Sequence, residues 1–178
     1  ISSNQDQAQH MLLKMGEIVG DLLADQVIHG GADGVQLFDT WAGLLSLESY
    51  RNYAMPATAR TIEVFREKVG SDIPIIHYAK GSGHLHPAIR ELDLNAISLD
   101  WRDDLCFNRE QFGDRLAFQG NLDPSLLHGS TEMAKSATRA VLNAAGTKPG
   151  HIFNLGHGFA PSARIECVET VLREIVGD

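Results

Sequence analysis

The residues best able to do chemistry in this chain sit just behind five short apolar runs. Thr40 follows Val35-Gln36-Leu37-Phe38-Asp39, and Lys80 opens a Lys80-Gly81-Ser82-Gly83 loop behind Ile75-Ile76-His77-Tyr78. Asp100-Trp101-Arg102 closes a third run, and Asn121-Leu122-Asp123 follows a fourth. His157 stands between Gly156 and Gly158 behind Ile152-Phe153-Asn154-Leu155. Together they offer a hydroxyl, an ammonium, an imidazole, amides and glycine N–H groups. That set of hydrogen-bond donors suits a ligand bearing carboxylates better than an apolar one.

Each member also has a plainer reading. A histidine between two glycines is either a ring aimed out from a strand end or an incidental surface side chain on a turn. Asp123 before Pro124 reads first as a helix cap with proline at the first helical position. Asp100 serves equally well as a rim residue or as an acceptor for neighbouring backbone amides. Lys80 is either a rim cation or a solvated loop lysine, and Asn121 joins these two as a rim candidate. Trp41 and Trp101 read first as packing residues. His84 and His86 are one residue apart with no cysteine beside them, which falls short of a zinc ligand set, so no metal is expected.

The elements that must hold these residues can be read from periodicity. Residues 6–30 repeat apolar side chains at Met11, Leu12, Met15, Ile18, Val19, Leu22, Leu23 and Val27, a helix that Gly30-Gly31 ends. A strand is expected over 34–39. A helix over 48–69 should be broken or kinked at Met55-Pro56. A strand over 73–78, a short helix over 86–92 begun by Pro87, and a strand over 96–101 follow. Next come a helical turn over 107–112 and a strand over 116–119. A helix over 130–145 should be capped by Ser130 or Thr131 and closed by Gly146. A fifth buried strand at 152–155 and an amphipathic helix over 162–176 complete the chain.

Strand, loop and helix thus recur about five times, which predicts an α/β fold with a parallel sheet and right-handed crossovers. No Gly-rich nucleotide fingerprint follows any strand. The close spacing favours a barrel, but a complete eight-stranded barrel needs about 250 residues. The chain has 178, so a single domain forming the later part of a barrel is expected.

Composition sets the outer bounds. Hydrophobic residues make up 43% and charged residues 21%, ordinary for a globular protein. The net charge of -8 argues against nucleic-acid binding and against a membrane-surface role. No apolar run approaches the ~18 residues of a membrane span. Two distant cysteines, Cys106 and Cys167, suit a reduced, cytoplasmic setting better than a disulfide. The start at Ile1 lacks an initiator Met and a secretory pattern, so the chain reads as a piece of a longer protein.

Four stretches resemble the uroporphyrinogen decarboxylase family in order and spacing. They are Gln36-Leu37-Phe38-Asp39-Thr40-Trp41-Ala42-Gly43, Ser98-Leu99-Asp100-Trp101, Gln119-Gly120-Asn121-Leu122-Asp123-Pro124 and Phe153-Asn154-Leu155-Gly156-His157-Gly158. The resemblance implies the carboxy-terminal part of a (β/α)8 TIM-type barrel. It implies cofactor-independent removal of CO₂ from the four acetate side chains of uroporphyrinogen, giving coproporphyrinogen. It also implies a homodimer for the complete protein. Thr40 and His157 match family residues that hold substrate carboxylates. The family's central aspartate, arginines and tyrosine belong to the amino-terminal half, so no catalytic residue is expected here and the chain alone should be inactive. Two rivals are a zinc-dependent corrinoid methyltransferase of the same superfamily and a non-catalytic tetrapyrrole-binding relative. The methyltransferases resembled would place His-x-Cys where this chain has His77-Tyr78-Ala79, and alanine there supplies no thiolate.

Overall fold

The computed structural model describes residues 4–177 of the chain. Between Asn95 and Ala96 the chain divides into two compact units.

The first unit opens with α1 (Gln5–Ile28), whose first turn is capped by Asn4: its side-chain oxygen accepts from the Gln7 N–H at 3.2 Å. Helix and length agree with the periodicity, but the buried stripe is not the bulky one. Gly16, Gly20, Leu23 and Ala24 are buried, whereas Met11, Met15, Ile18 and Leu22 are exposed. The cause is packing against α3 (Met55–Val69): Thr61 Oγ1 donates to the Gly16 carbonyl at 3.0 Å, an approach only small residues permit. Ahead of α3 come a 3-10 turn at Ala42–Leu44, the short α2 (Leu47–Ser49) and a π turn at Tyr50–Ala54. The expected break at Met55-Pro56 is thus a π turn with proline in the first turn of α3, where its missing N–H is not needed. Strands β1 (Val35–Phe38) and β2 (Ile75–Tyr78) pair in parallel, with Leu37 opposite His77. The helix expected over 86–92 is shorter, α4 (His86–Ile89), begun by Pro87.

The second unit holds β3 (Ala96–Ser98), β4 (Ala117–Gln119) and β5 (His151–Ile152), each parallel to the next. The predicted helical turn is α5 (Leu105–Phe112), with Asp104 accepting from the Phe107 N–H at 2.9 Å. Asp123 caps a 3-10 turn at Pro124–His128 through the Ser125 N–H at 2.8 Å. Ser130 caps α6 (Thr131–Ala145), and α7 (Ile165–Val176) ends the unit. Leu122, Leu127, Ala134, Cys167 and Val171 form its core, with Phe153 and Leu155 packed against them.

Two expectations need correction here. The fifth strand is two residues long with Ile152 exposed, and Leu155 contributes an isolated bridge to Leu122. Its apolar run breaks at Asn154, whose side chain binds the following Leu155 N–H and turns the backbone. In α7 the buried residues are Cys167 and Val171, while Ile165 and Leu172 are exposed. Both cysteines are free thiols, Cys106 exposed and Cys167 buried.

Candidate functional site

In the first unit the ends of β1 and β2 lie side by side, the Asp39 N–H donating to the Tyr78 carbonyl at 2.7 Å. Thr40 follows β1 and is half-buried, as is Lys80 behind β2. Their loops are pressed together at Gly43, where a Cβ would stand 2.0 Å from the Lys80 carbonyl oxygen. Thr40 and Lys80 thus each lie two residues past the ends of neighbouring strands.

Three polar groups of this unit were not singled out as site residues. Burial raises the Asp39 carboxyl above the usual carboxylate range, partly offset by the Ala42 N–H. Tyr50 is fully buried, and its hydroxyl is pushed up by burial and then by the negative charge of Asp39. His77 is also fully buried, and both ring nitrogens lack a hydrogen-bond partner. Burial, followed by the charge of His86, pushes its pKa down to about 4. His77 and Tyr50 carry no spacing signal: His77 stands in an ordinary apolar run, and Tyr50 lies in the mixed polar stretch Glu48-Ser49-Tyr50-Arg51-Asn52. Asp39 did carry one: it ends the first apolar run.

In the second unit Asp100 and Asn121 lie two residues past β3 and β4, and His157 lies in the loop five residues past β5. Asp100 is fully buried, and its carboxylate accepts from the Arg102 N–H at 2.9 Å, Nε at 2.8 Å and Nη2 at 2.5 Å. It therefore binds a neighbouring amide, as the plainer reading held, and a guanidinium as well. Asn121 is buried too; its Nδ2 donates to the Asp100 carbonyl at 2.9 Å and the Asp103 carbonyl at 2.7 Å. Its amide holds the 100–103 turn in shape.

Gly156 lies against that same turn. A Cβ there would be 2.2 Å from the Trp101 nitrogen and 2.7 Å from its Cα, so only glycine fits. The His157 ring meets the Trp101 ring edge-on, with centroids 6.1 Å apart and planes at 88°. On the same indole the Arg102 guanidinium carbon sits 4.7 Å from the ring centroid, a cation–π distance. Trp101 is thus a wall of the site as well as a packing residue, and Arg102 is a cation that loop reading passed over.

Among the described residues no three His, Cys, Asp or Glu side chains come together to hold a metal ion. His84 Nε2 contacts the Leu45 carbonyl at 2.7 Å. No helix among the described residues is long and apolar enough to cross a membrane.

Parallel strands alternating with helices, their trailing loops carrying the polar side chains, define the chain as part of an α/β barrel protein. The chain belongs to the uroporphyrinogen decarboxylase family, whose sequence model, described as Uroporphyrinogen decarboxylase (URO-D), matches residues 1–176. Its similarity to the uroporphyrinogen decarboxylase of Magnetococcus marinus is 37% identity, covering 95% of this chain and 48% of that protein. With that of Chromohalobacter salexigens it is 41% identical over 85% of this chain and 43% of the relative. With that of Coxiella burnetii it is 40% identical over 83% and 41%. The chain thus spans about half the length of the curated relatives it matches. A methyltransferase from Methanosarcina mazei shares the fold, with a TM-score of 0.66 at 20% identity, over 85% of this chain and 44% of that one. The fold is accordingly the carboxy-terminal part of a (β/α)8 TIM-type barrel.

Proposed function

We propose that this chain supplies part of the substrate pocket of an enzyme that decarboxylates the four acetate side chains of uroporphyrinogen. The family match over residues 1–176 carries this reading. The donor-rich strand ends support it.

The chemistry explains what such a pocket must do. Loss of CO₂ breaks a carbon–carbon bond and leaves its electron pair behind. A pyrrole ring protonated beforehand accepts that pair. A proton added to the resulting exocyclic methylene completes the methyl group, and loss of the first proton restores the pyrrole, so one proton is consumed overall and no cofactor is needed. The protein's task is to hold the carboxylates and stabilise the cationic ring. Thr40 gives a hydroxyl donor and His157 an imidazole donor for two of the carboxylates. Lys80, behind the neighbouring strand, adds a cation. The group that stabilises the cationic ring comes from outside this chain. In the complete protein the chain belongs to a single barrel domain, and the protein works as a homodimer.

Two measurements test this reading. Replacing His157 with Asn in the intact protein should raise KM about tenfold, the loss expected for a hydrogen bond to a charged group, with little change in unfolding midpoint. Equal KM values would remove His157 from the pocket. The 178-residue chain alone, incubated anaerobically with uroporphyrinogen, should form no coproporphyrinogen. Turnover comparable to that of the intact protein would show that the ring-stabilising group is present after all.

A further inference from the structure

We propose that Arg102 is a second carboxylate-binding cation beside His157, with Asp100 as its positioning residue and Trp101 as the aromatic wall the two share. This rests on the reading of His157 as a carboxylate-binding residue. It adds a ligand class for these side chains: an aromatic ring carrying several carboxylates.

The argument starts from an ion pair that is lopsided with respect to solvent. The Asp100 side chain is 0% exposed and that of Arg102 is 54% exposed. The negative end is buried in the 100–103 turn, and the positive end faces outward. Burying a carboxylate is costly, and here three N–H donors from one residue meet it. That arrangement fixes the guanidinium plane. An arginine held this way is preorganised for a second carboxylate, because little side-chain freedom remains to be lost on binding.

The surroundings point to the same use. The guanidinium and the His157 imidazole both lie against the Trp101 indole, at 4.7 Å and 6.1 Å between centres. The backbone beneath is tied down from both sides. Asn121 binds the Asp100 and Asp103 carbonyls. The Gly156 N–H donates to the Leu122 carbonyl at 2.8 Å, and the Leu122 N–H donates to the Asn154 carbonyl at 3.1 Å. Asp103 accepts from the Asp100 N–H at 3.3 Å. A chain of net charge -8 repels polyanions at long range, so fixed local cations are what holds one.

The test uses mellitate, an inert benzene hexacarboxylate, titrated into the 178-residue chain at constant ionic strength. The chain has two tryptophans, so Trp41→Phe leaves Trp101 as the only reporter of binding by fluorescence. We expect Arg102→Gln and His157→Asn each to weaken binding about tenfold. Arg102→Lys keeps the charge but loses the fork and should weaken it about threefold, as should Asp100→Asn, which frees the guanidinium. An unchanged Kd in a folded Arg102→Gln protein would reduce Arg102 to a counterion for Asp100 and overturn the proposal. If that variant does not fold, an unchanged Kd in Arg102→Lys overturns it equally. Absence of mellitate binding to the parent chain would also end it. Arg102-dependent mellitate binding, without uroporphyrinogen turnover by the intact protein, would leave this anion site standing and remove the decarboxylase reading instead.

Discussion

The two units treat their buried polar groups differently. In the second, the buried side chains at the strand ends satisfy one another. Asp100 takes three N–H donors from Arg102, Asn121 spans two carbonyls, and Gln119 Nε2 donates to Ser98 Oγ at 3.1 Å. In the first, a fully buried histidine keeps two ring nitrogens without hydrogen-bond partners, and a partly buried aspartate is held above its usual pKa. A satisfied network fixes side chains in one arrangement, whereas an unsatisfied buried group is a standing cost. The second unit is therefore built for fixed geometry. The first carries a liability that solution conditions expose.

The largest effect should come from disturbing the braced side. Gly156→Ala forces a Cβ into the Trp101 backbone and should destabilise the second unit by about 3 kcal/mol. Urea unfolding followed by Trp101 fluorescence in a Trp41→Phe background measures it. A change below about 0.5 kcal/mol would mean that the contact yields easily and the bracing is soft.

The next effect tests the unbraced side. His77 has a folded-state pKa of about 4 against an ordinary value near 6.5, so the unfolded chain binds the proton more readily. Stability is then undiminished above pH 6.5 and falls as the pH drops from 6.5 to 4. By pH 5 the loss is about 2 kcal/mol. His77→Leu should abolish this part of the pH dependence, and near pH 7.5 it should gain about 1 kcal/mol by removing the unsatisfied nitrogens. Unfolding curves at pH 7.5 and 5.0 for both proteins decide the matter, and parallel pH responses would dissolve the contrast. The smallest effect belongs to Trp41, which is 74% exposed: Trp41→Ala should change stability by less than about 0.5 kcal/mol in the same assay.

Much of the architecture was legible because it depends on local rules. The cap at Ser130, the proline starts at Pro87 and Pro124, and the first four strand positions follow from turn chemistry and apolar runs, whereas the fifth strand is shorter and more exposed than its apolar run implied. The buried face of α1 was not legible in this way. Periodicity ranks residues by hydrophobicity, and it pointed to Met11, Met15, Ile18 and Leu22, while helix packing selected Gly16 and Gly20 for their size. The site divides along a similar line. Thr40, Lys80 and His157 were readable as candidates from their positions behind strands. Arg102 stood in one of the same loops, but the role proposed for it was not readable, since it rests on Asp100 being wholly buried and on the Trp101 ring beneath it. His77 was invisible as a liability because missing partners are a three-dimensional property.

The two thiols make the second unit report on its own opening. Cys106 lies on the surface, so an alkylating reagent should modify it at once in native protein. Cys167 is enclosed by Leu122, Leu127, Ala134 and Val171, and the reagent reaches it only when α6 and α7 separate. The ratio of the two labelling rates is thus a clock for breathing of this core, available without inserting any probe.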